Sequence, residues 1–163
     1  MKTRRYTASV ITISDKGAAG QREDLSGPLA AEKLVSFGFS VIKTEIVPDD
    51  RPKIEEVLIR HSDEGINLVI TSGGTGASPR DNTPEATLAV GEREMPGLSE
   101  MMRVKGMEIT PFAVLSRGRS VIRKGSLIIN LPGNPKAVDE NLDILEPVLQ
   151  HAVKMLEGRD TEH

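Results

Sequence analysis

The chain has no cysteine, which excludes disulfides, thiolate metal sites, iron–sulfur clusters and cysteine nucleophiles together. Aromatic residues are almost as scarce. With no tryptophan, one tyrosine and three phenylalanines, there is no stacking platform for single-stranded bases. There is no basic surplus either: 21 Lys plus Arg stand against 24 Asp plus Glu, a net charge of −3, which argues against a general nucleic-acid binder. Apolar runs are only a few residues long, far short of the ~20 that span a bilayer. The stretch 8–13, behind the basic start at 1–5, is too short and too polar for a signal-peptide core. The three histidines, His61, His151 and His163, lack ligand spacing, so no zinc site is expected. These absences predict an unprocessed cytoplasmic protein whose partners include neither membrane nor nucleic acid.

What is present is the material of one ordinary domain. A length of 163 residues, 37% hydrophobic and 28% charged, suits a single globule over 1–163 that buries roughly 70% of its unfolded surface. There is no repeat, low-complexity tract or linker-like break. Instead, short β-branched runs alternate with helical patterns. Strands are expected at 6–14, 41–47, 68–71, 113–115 and 127–130, with a short one at 120–123 before the turn Lys124-Gly125. Helices are expected from Ser26 as a cap to Gly38, from the cap Asp50 through Ile54, Val57 and Leu58, and from the cap Thr83 with Pro84 in the first turn. Others follow at 97–107 and 135–157, the last bent or split at Pro147. Such alternation predicts an α/β fold: a three-layer α/β/α sandwich around a mostly parallel, Rossmann-like sheet. Sheets of this kind bind ligands beyond the carboxyl ends of their strands. Every loop that follows a strand is therefore a candidate site.

The loop after the third strand runs Ser72-Gly73-Gly74-Thr75-Gly76-Ala77-Ser78-Pro79-Arg80-Asp81-Asn82. Its glycines let backbone N–H groups close on an anion, and the hydroxyls of Ser72 and Thr75 add donors. A helix start and Arg80 add positive charge. Together they suit a phosphate ester, although neither a Walker loop nor a dinucleotide fingerprint is present. The other reading is a tight turn that needs glycine. Asp49, after the second strand, and Asp81 would lie on the same edge of the sheet. Beside phosphates, two aspartates can hold Mg²⁺, which takes one or two carboxylates plus phosphate oxygens. From spacing alone, a purely local structural role for both stays equally open. Pro132, Gly133, Asn134 and Lys136 form a rigid loop opening the tail helix, which local chemistry explains as a stiff turn. The lysine opposes the helix dipole there, as a bound anion would explain. Ser14 and Asp15, after the first strand, and Ser116 and Arg117, after the expected fourth strand, complete the set. Arg117 suits a phosphate geometrically.

These loops resemble the signature of the molybdenum-cofactor biosynthesis family, the MogA and MoaB group that includes the bacterial molybdopterin adenylyltransferases and the first domain of gephyrin. The likeness is carried by Thr71-Ser72-Gly73-Gly74-Thr75-Gly76, Arg80-Asp81-Asn82-Thr83-Pro84-Glu85-Ala86, Glu92-Arg93-Glu94-Met95-Pro96-Gly97, Leu115-Ser116-Arg117 and Leu131-Pro132-Gly133-Asn134-Pro135-Lys136-Ala137. Ile13-Ser14-Asp15 and Pro48-Asp49 extend it over nearly the whole chain. Asn82 departs from the usual small hydrophobic residue. The resemblance implies a homotrimer and a Mg²⁺-dependent nucleotidyltransferase. The terminal phosphate of molybdopterin would attack the α-phosphate of ATP, giving adenylyl-molybdopterin and pyrophosphate. It further implies that Asp49 and Asp81 are catalytic and handle the metal, and that Gly73 to Gly76 bind phosphate. Ser14, Asp15, Ser116 and the loop Pro132 to Lys136 would fall in substrate-binding regions, with hand-over to a molybdate-insertion protein beyond. Some family members are catalytically silent binding or scaffold homologues, and a kinase built on the same cradle is a further alternative.

Overall fold

A computed structural model describes residues 4–158. The elements follow in the order β1 (Thr7–Ile13), α1 (Asp15–Ala18), α2 (Ser26–Ser36), β2 (Ser40–Val47), α3 (Arg51–Asp63) and β3 (Leu68–Ser72). Then come α4 (Thr83–Val90), β4 (Arg93–Glu94), α5 (Pro96–Gly106), a 3₁₀ helix (Pro111–Leu115), β5 (Ser120–Arg123), β6 (Ser126–Leu131) and α6 (Pro135–Leu156). The six strands form one sheet in the order β2-β1-β3-β6-β5-β4. β2, β1, β3 and β6 run parallel, while β5 pairs antiparallel with β6 and β4 antiparallel with β5.

The central strands β1, β3 and β6 are buried almost throughout because both faces are covered, whereas the edge strand β2 alternates between half-buried and exposed residues. On one face, Val10, Ile70, Ile129 and Leu131 pack against Leu34 of α2, Met102 of α5 and the α6 stripe Val138, Leu142, Leu145 and Leu149. On the other, Ile11, Val69 and Ile128 meet Ile54 and Leu58 of α3 and Ala86 of α4. The expected three-layer sandwich is the observed one. The chain leaves β1 for β2 on one side and later places β3 on the other, so the direction of winding switches at β1. The crevice at such a switch lies beyond the strand ends, here at Ser14 and Ser72.

Four local expectations need correction. Residues 113–115 are not a strand but the end of the 3₁₀ helix, with Val114 and Leu115 exposed. The short apolar run there reflects apolar surface, not burial in a sheet. Thr83 does not cap α4: Asn82 holds the cap position, and the Thr83 hydroxyl donates to the Gly73 carbonyl at 2.9 Å. Ser26 does not cap α2: its Oγ donates to the Gly133 carbonyl at 2.6 Å, and Asp24 Oδ1 instead accepts from the Gly27 N–H. Pro147 does not split α6. It stands on the exposed side, where the carbonyl it leaves without a donor can meet water, while the leucine stripe holds both halves on the core. Asp50 caps α3 as expected, accepting from the Lys53 N–H at 3.2 Å.

The half-buried Glu45 and the buried His61 set an acid limit on stability. Glu45 on β2 accepts both guanidinium nitrogens of Arg60, at 2.9 and 3.0 Å, and a hydrogen bond from His61 Nε2. The Arg60 bonds do most to bring the Glu45 carboxyl down to about 2. His61 is fully buried, its Nδ1 bonded to the Ser9 hydroxyl at 2.8 Å. Burial pushes its pKa below the ordinary 6.5, against the pull of Glu45. Both folded values are depressed, so the unfolded chain binds protons first as pH falls. The melting temperature should therefore hold at neutral pH and drop once pH passes below 6.5. It should drop further from 4.5 towards 2 as Glu45 loses its contribution. Thermal melts along an acid series check this, and a curve flat down to pH 4.5 would count against it.

Candidate functional site

The carboxyl ends of β1, β2, β3 and β6 open on a polar cleft of about 660 Å³. The glycine bend lies at its centre. Gly73 has φ +108° and Gly74 φ +68°, in the left-handed region that favours glycine. A side chain on Gly73 would meet the Ile13 carbonyl oxygen at 2.3 Å, and one on Gly74 would strike Thr83 Oγ1 at 2.3 Å. The bend is fastened on several sides. Gly73 N–H donates to the Leu131 carbonyl at 3.0 Å, Thr83 N–H to the Gly74 carbonyl at 3.2 Å, and Ser72 Oγ to the Pro132 carbonyl at 3.1 Å. Gly133 comes close enough that a Cβ on it would sit 3.2 Å from Gly73 Cα. Asn134 caps α6 through Oδ1, which accepts from Lys136 N–H at 2.8 Å. The positive end of a long helix thereby faces the same cleft, beside Gly133 and Pro135.

Both predicted aspartates reach this cleft. Asp49 Oδ2 accepts the Asp15 N–H at 3.0 Å, and Asp15 Oδ1 accepts the Asp49 N–H at 3.0 Å, a reciprocal lock between the loops after β1 and β2. A Cβ on Gly74 would lie 3.2 Å from Asp49 Oδ1, and one on Gly76 would lie 2.8 Å from Asp81 Oδ2. The two carboxylates therefore border successive glycines of the bend. Burial raises the Asp49 pKa, with the charges of Asp15 and Asp81 acting in the same direction. A cation between Asp49 and Asp81 would relieve that cost. The donor set, hard oxygens only, fits magnesium. No cluster of three or more His, Cys, Asp or Glu suited to a metal occurs among the described residues. Two carboxylates match an ion that brings phosphate and water ligands with it.

The remaining candidates divide. Ser14 lines the cleft and caps α1 by accepting from the Gly17 N–H at 3.0 Å. Ser72, Gly73, Gly74, Thr75, Gly76, Gly133 and Asn134 also line it. Arg80 is committed to Asp15 through two bonds of 2.7 and 2.8 Å and to the Asp49 carbonyl at 3.2 Å. Arg117 follows a 3₁₀ helix and not a strand, and grips protein groups: the carbonyls of Gly76 and Asp81 at 2.8 and 2.9 Å, and the Glu85 carboxylate. It clamps the glycine loop. Lys136 stands on the first turn of α6 with its side chain largely in solvent, 3.8 Å from Glu140.

Sequence reasoning missed two parts of the site. Thr12 and Asp24 line the cleft, joined by a 2.8 Å bond from the Thr12 hydroxyl. Asp24 ends the polar loop after β1, whose polarity was its signal, whereas Thr12 lies within β1 and carried no signal of its own. The second part is a neighbouring cavity of about 290 Å³ that continues from Thr75 and Gly76. Met102, Phe112, Leu115, Asn141 and Ile144 line it, with Ser116 and Pro132 at its border with the loops. Its apolar walls come from α5, the 3₁₀ helix and α6, elements whose approach no local pattern announces.

Comparison with known proteins places this geometry. Residues 9–151 match the family model described as "Probable molybdopterin binding domain". The molybdopterin adenylyltransferase of Haemophilus influenzae is 47% identical over 138 residues, covering 82% of this chain and 70% of the relative. That of Helicobacter pylori strain J99 is 42% identical over 152 residues, covering 91% and 86%. Among solved structures, the molybdopterin biosynthesis enzyme MoaB of Thermus thermophilus superposes with a TM-score of 0.90 at 44% identity, covering 96% of this chain and 99% of that one. A MogA structure follows at 0.88 and 41% identity, covering 92% and 99%. With the match spanning the sheet, the glycine bend and the α6 loop together, the chain belongs to this molybdopterin-binding family of molybdenum-cofactor biosynthesis.

Proposed function

We propose that the chain is a molybdopterin adenylyltransferase, transferring AMP from ATP to the terminal phosphate of molybdopterin. One observation carries the reading: Asp49, Asp81, the glycine bend and the start of α6 converge on a single cleft. In the reaction, a terminal phosphate oxygen of molybdopterin attacks the α-phosphorus of ATP. The bond from that phosphorus to the bridging oxygen breaks, and pyrophosphate leaves with the electron pair. Such a transfer needs positioning and charge neutralisation more than a protein nucleophile, in keeping with a chain that has no cysteine. Asp49 and Asp81 would hold Mg²⁺, which supplies neutralisation of the triphosphate when bound. The N–H groups of the bend beyond Gly73 would orient phosphate oxygens, and the positive end of the α6 dipole would add to the field there. Asp15 positions Asp49, Arg80 positions Asp15, and Arg117 fixes the loop that carries Asp81. The apolar cavity beside Gly76 would take the flat ring system of one substrate.

A homotrimer belongs to the same reading. Val104, Met107, Ile109, Phe112, Val114 and Leu115 are exposed together around α5 and the 3₁₀ helix, Phe112 at 74% and Leu115 at 64%. Exposed apolar residues gathered in this way suit a subunit contact. It flanks the apolar cavity, so assembly would also wall the substrate site. No helix of the described residues is long and apolar enough to cross a membrane; the proposed reaction, with water-soluble substrates, belongs to the cytoplasm.

The test is to incubate the chain with ATP, Mg²⁺ and molybdopterin and identify the nucleotide products. Adenylyl-molybdopterin with pyrophosphate is expected. ADP would indicate a kinase, and molybdopterin binding without a nucleotide product would indicate a silent homologue.

A further inference from the structure

The strand β2 contains Val41-Ile42-Lys43-Thr44-Glu45-Ile46-Val47. About Thr44 its chemistry is the same in both directions, valine answering valine, isoleucine answering isoleucine, and lysine answering glutamate. β2 is also an edge of the sheet, with β1 beside it and no strand on its other side among the described residues. Ile42 and Ile46 are 56% and 42% exposed, and Thr44 between them is exposed as well. A register shift against β1 at Ile42 leaves that alternation intact. Lys43 and Glu45 point to the opposite face, where they meet Glu64 and Arg60 at the end of α3. Edge strands are ordinarily blunted by charge, proline or a β-bulge, because unpaired backbone groups invite another strand. The exposed row of β2 carries no charge or proline, and its one irregularity is the shift at Ile42.

We propose that a second copy of this chain pairs with β2, antiparallel about a two-fold axis at Thr44, joining two sheets edge to edge. In that register Ile42 faces Ile46 of the partner subunit on one face, and on the other Lys43, itself bonded to Glu64, lies opposite Glu45 of the partner subunit. Each contact occurs twice, as a two-fold axis requires, and apolar and opposite-charge cross-strand pairs are the stabilising kinds. A parallel, in-register pairing would instead set lysine beside lysine and glutamate beside glutamate, which is destabilising. A foreign extended peptide could use the isoleucine row, but it gives no reason for the inverted order of the two charges. The surface lies at the opposite edge of the sheet from β4 and is separate from the apolar face around α5.

Sedimentation velocity of the full chain and its variants tests the pairing. The double variant I42K/I46K sets like charges against each other and should sediment at half the mass of the parent at equal concentration. I42K/I46E places the new lysine opposite the new glutamate and should return to the parent's mass. Thr44→Lys sets two cations on the axis and gives a second route to half mass should the isoleucine variants fail to fold. Equal masses for the parent and the folded I42K/I46K or Thr44→Lys variant overturn the proposal. So does a folded I42K/I46E variant that stays at half mass, since the antiparallel register predicts its recovery.

Discussion

Replacing Asp81 with asparagine should leave the fold intact and lower adenylyl transfer by about 10² or more, the scale of one lost electrostatic element in a preorganised site. The fold should survive because Asp81 has one local structural duty, accepting the Ser78 N–H at 2.9 Å, and an amide oxygen can take it over. The rate should not survive, because an amide brings no charge to the Mg²⁺ that Asp81 is proposed to hold. Pyrophosphate release at saturating ATP, read beside a thermal melt, separates the two effects. Release at the parental rate from a normally melting variant would remove Asp81 from the mechanism.

Gly73→Ala should be the most damaging single methyl in the chain. The backbone there is at φ +108°, and the added carbon would lie 2.3 Å from the Ile13 carbonyl oxygen, a backbone atom fixed within β1. Neither partner can rotate away. Strain and overlap together should cost about 3 kcal/mol or more, lowering the melting temperature by roughly 6 to 12 °C. The bend would also move off Thr83 and Leu131, so transfer should fall with stability. Gly125→Ala is the matched control: it has open space around its added carbon and no left-handed φ, and should shift stability by no more than about 0.5 kcal/mol. Equal melts for Gly73→Ala and the parent would show that the bend is not under this constraint.

The division between legible and illegible residues follows from what each side chain can do. β1, β3 and β6 were readable because a strand covered on both faces has to be apolar throughout, as Val69-Ile70 and Ile128-Ile129 are. Residues 113–115 have similar chemistry but stand in solvent, and hydrophobicity alone does not distinguish a core from a contact surface. Thr83 and Ser26 misled for a related reason. A hydroxyl can accept from its own helix or donate to a distant carbonyl, and here Gly73 and Gly133 supply the distant acceptors. Arg117 suits a phosphate as well as it suits three protein oxygens; the folded loop brings the carbonyls of Gly76 and Asp81 to it.

The linear chain determined the layered architecture, the edge of the sheet where a ligand belongs, and the presence there of glycines and aspartates. These follow from periodicity and from backbone freedom, which act over a few neighbouring residues. The tertiary structure decided which cations are spent on internal bonds, that Asp15 and Asp49 lock each other, and that an apolar cavity opens beside Gly76. Those outcomes depend on groups far apart in the chain meeting within hydrogen-bond or van der Waals reach, and only the packing of whole elements sets such distances.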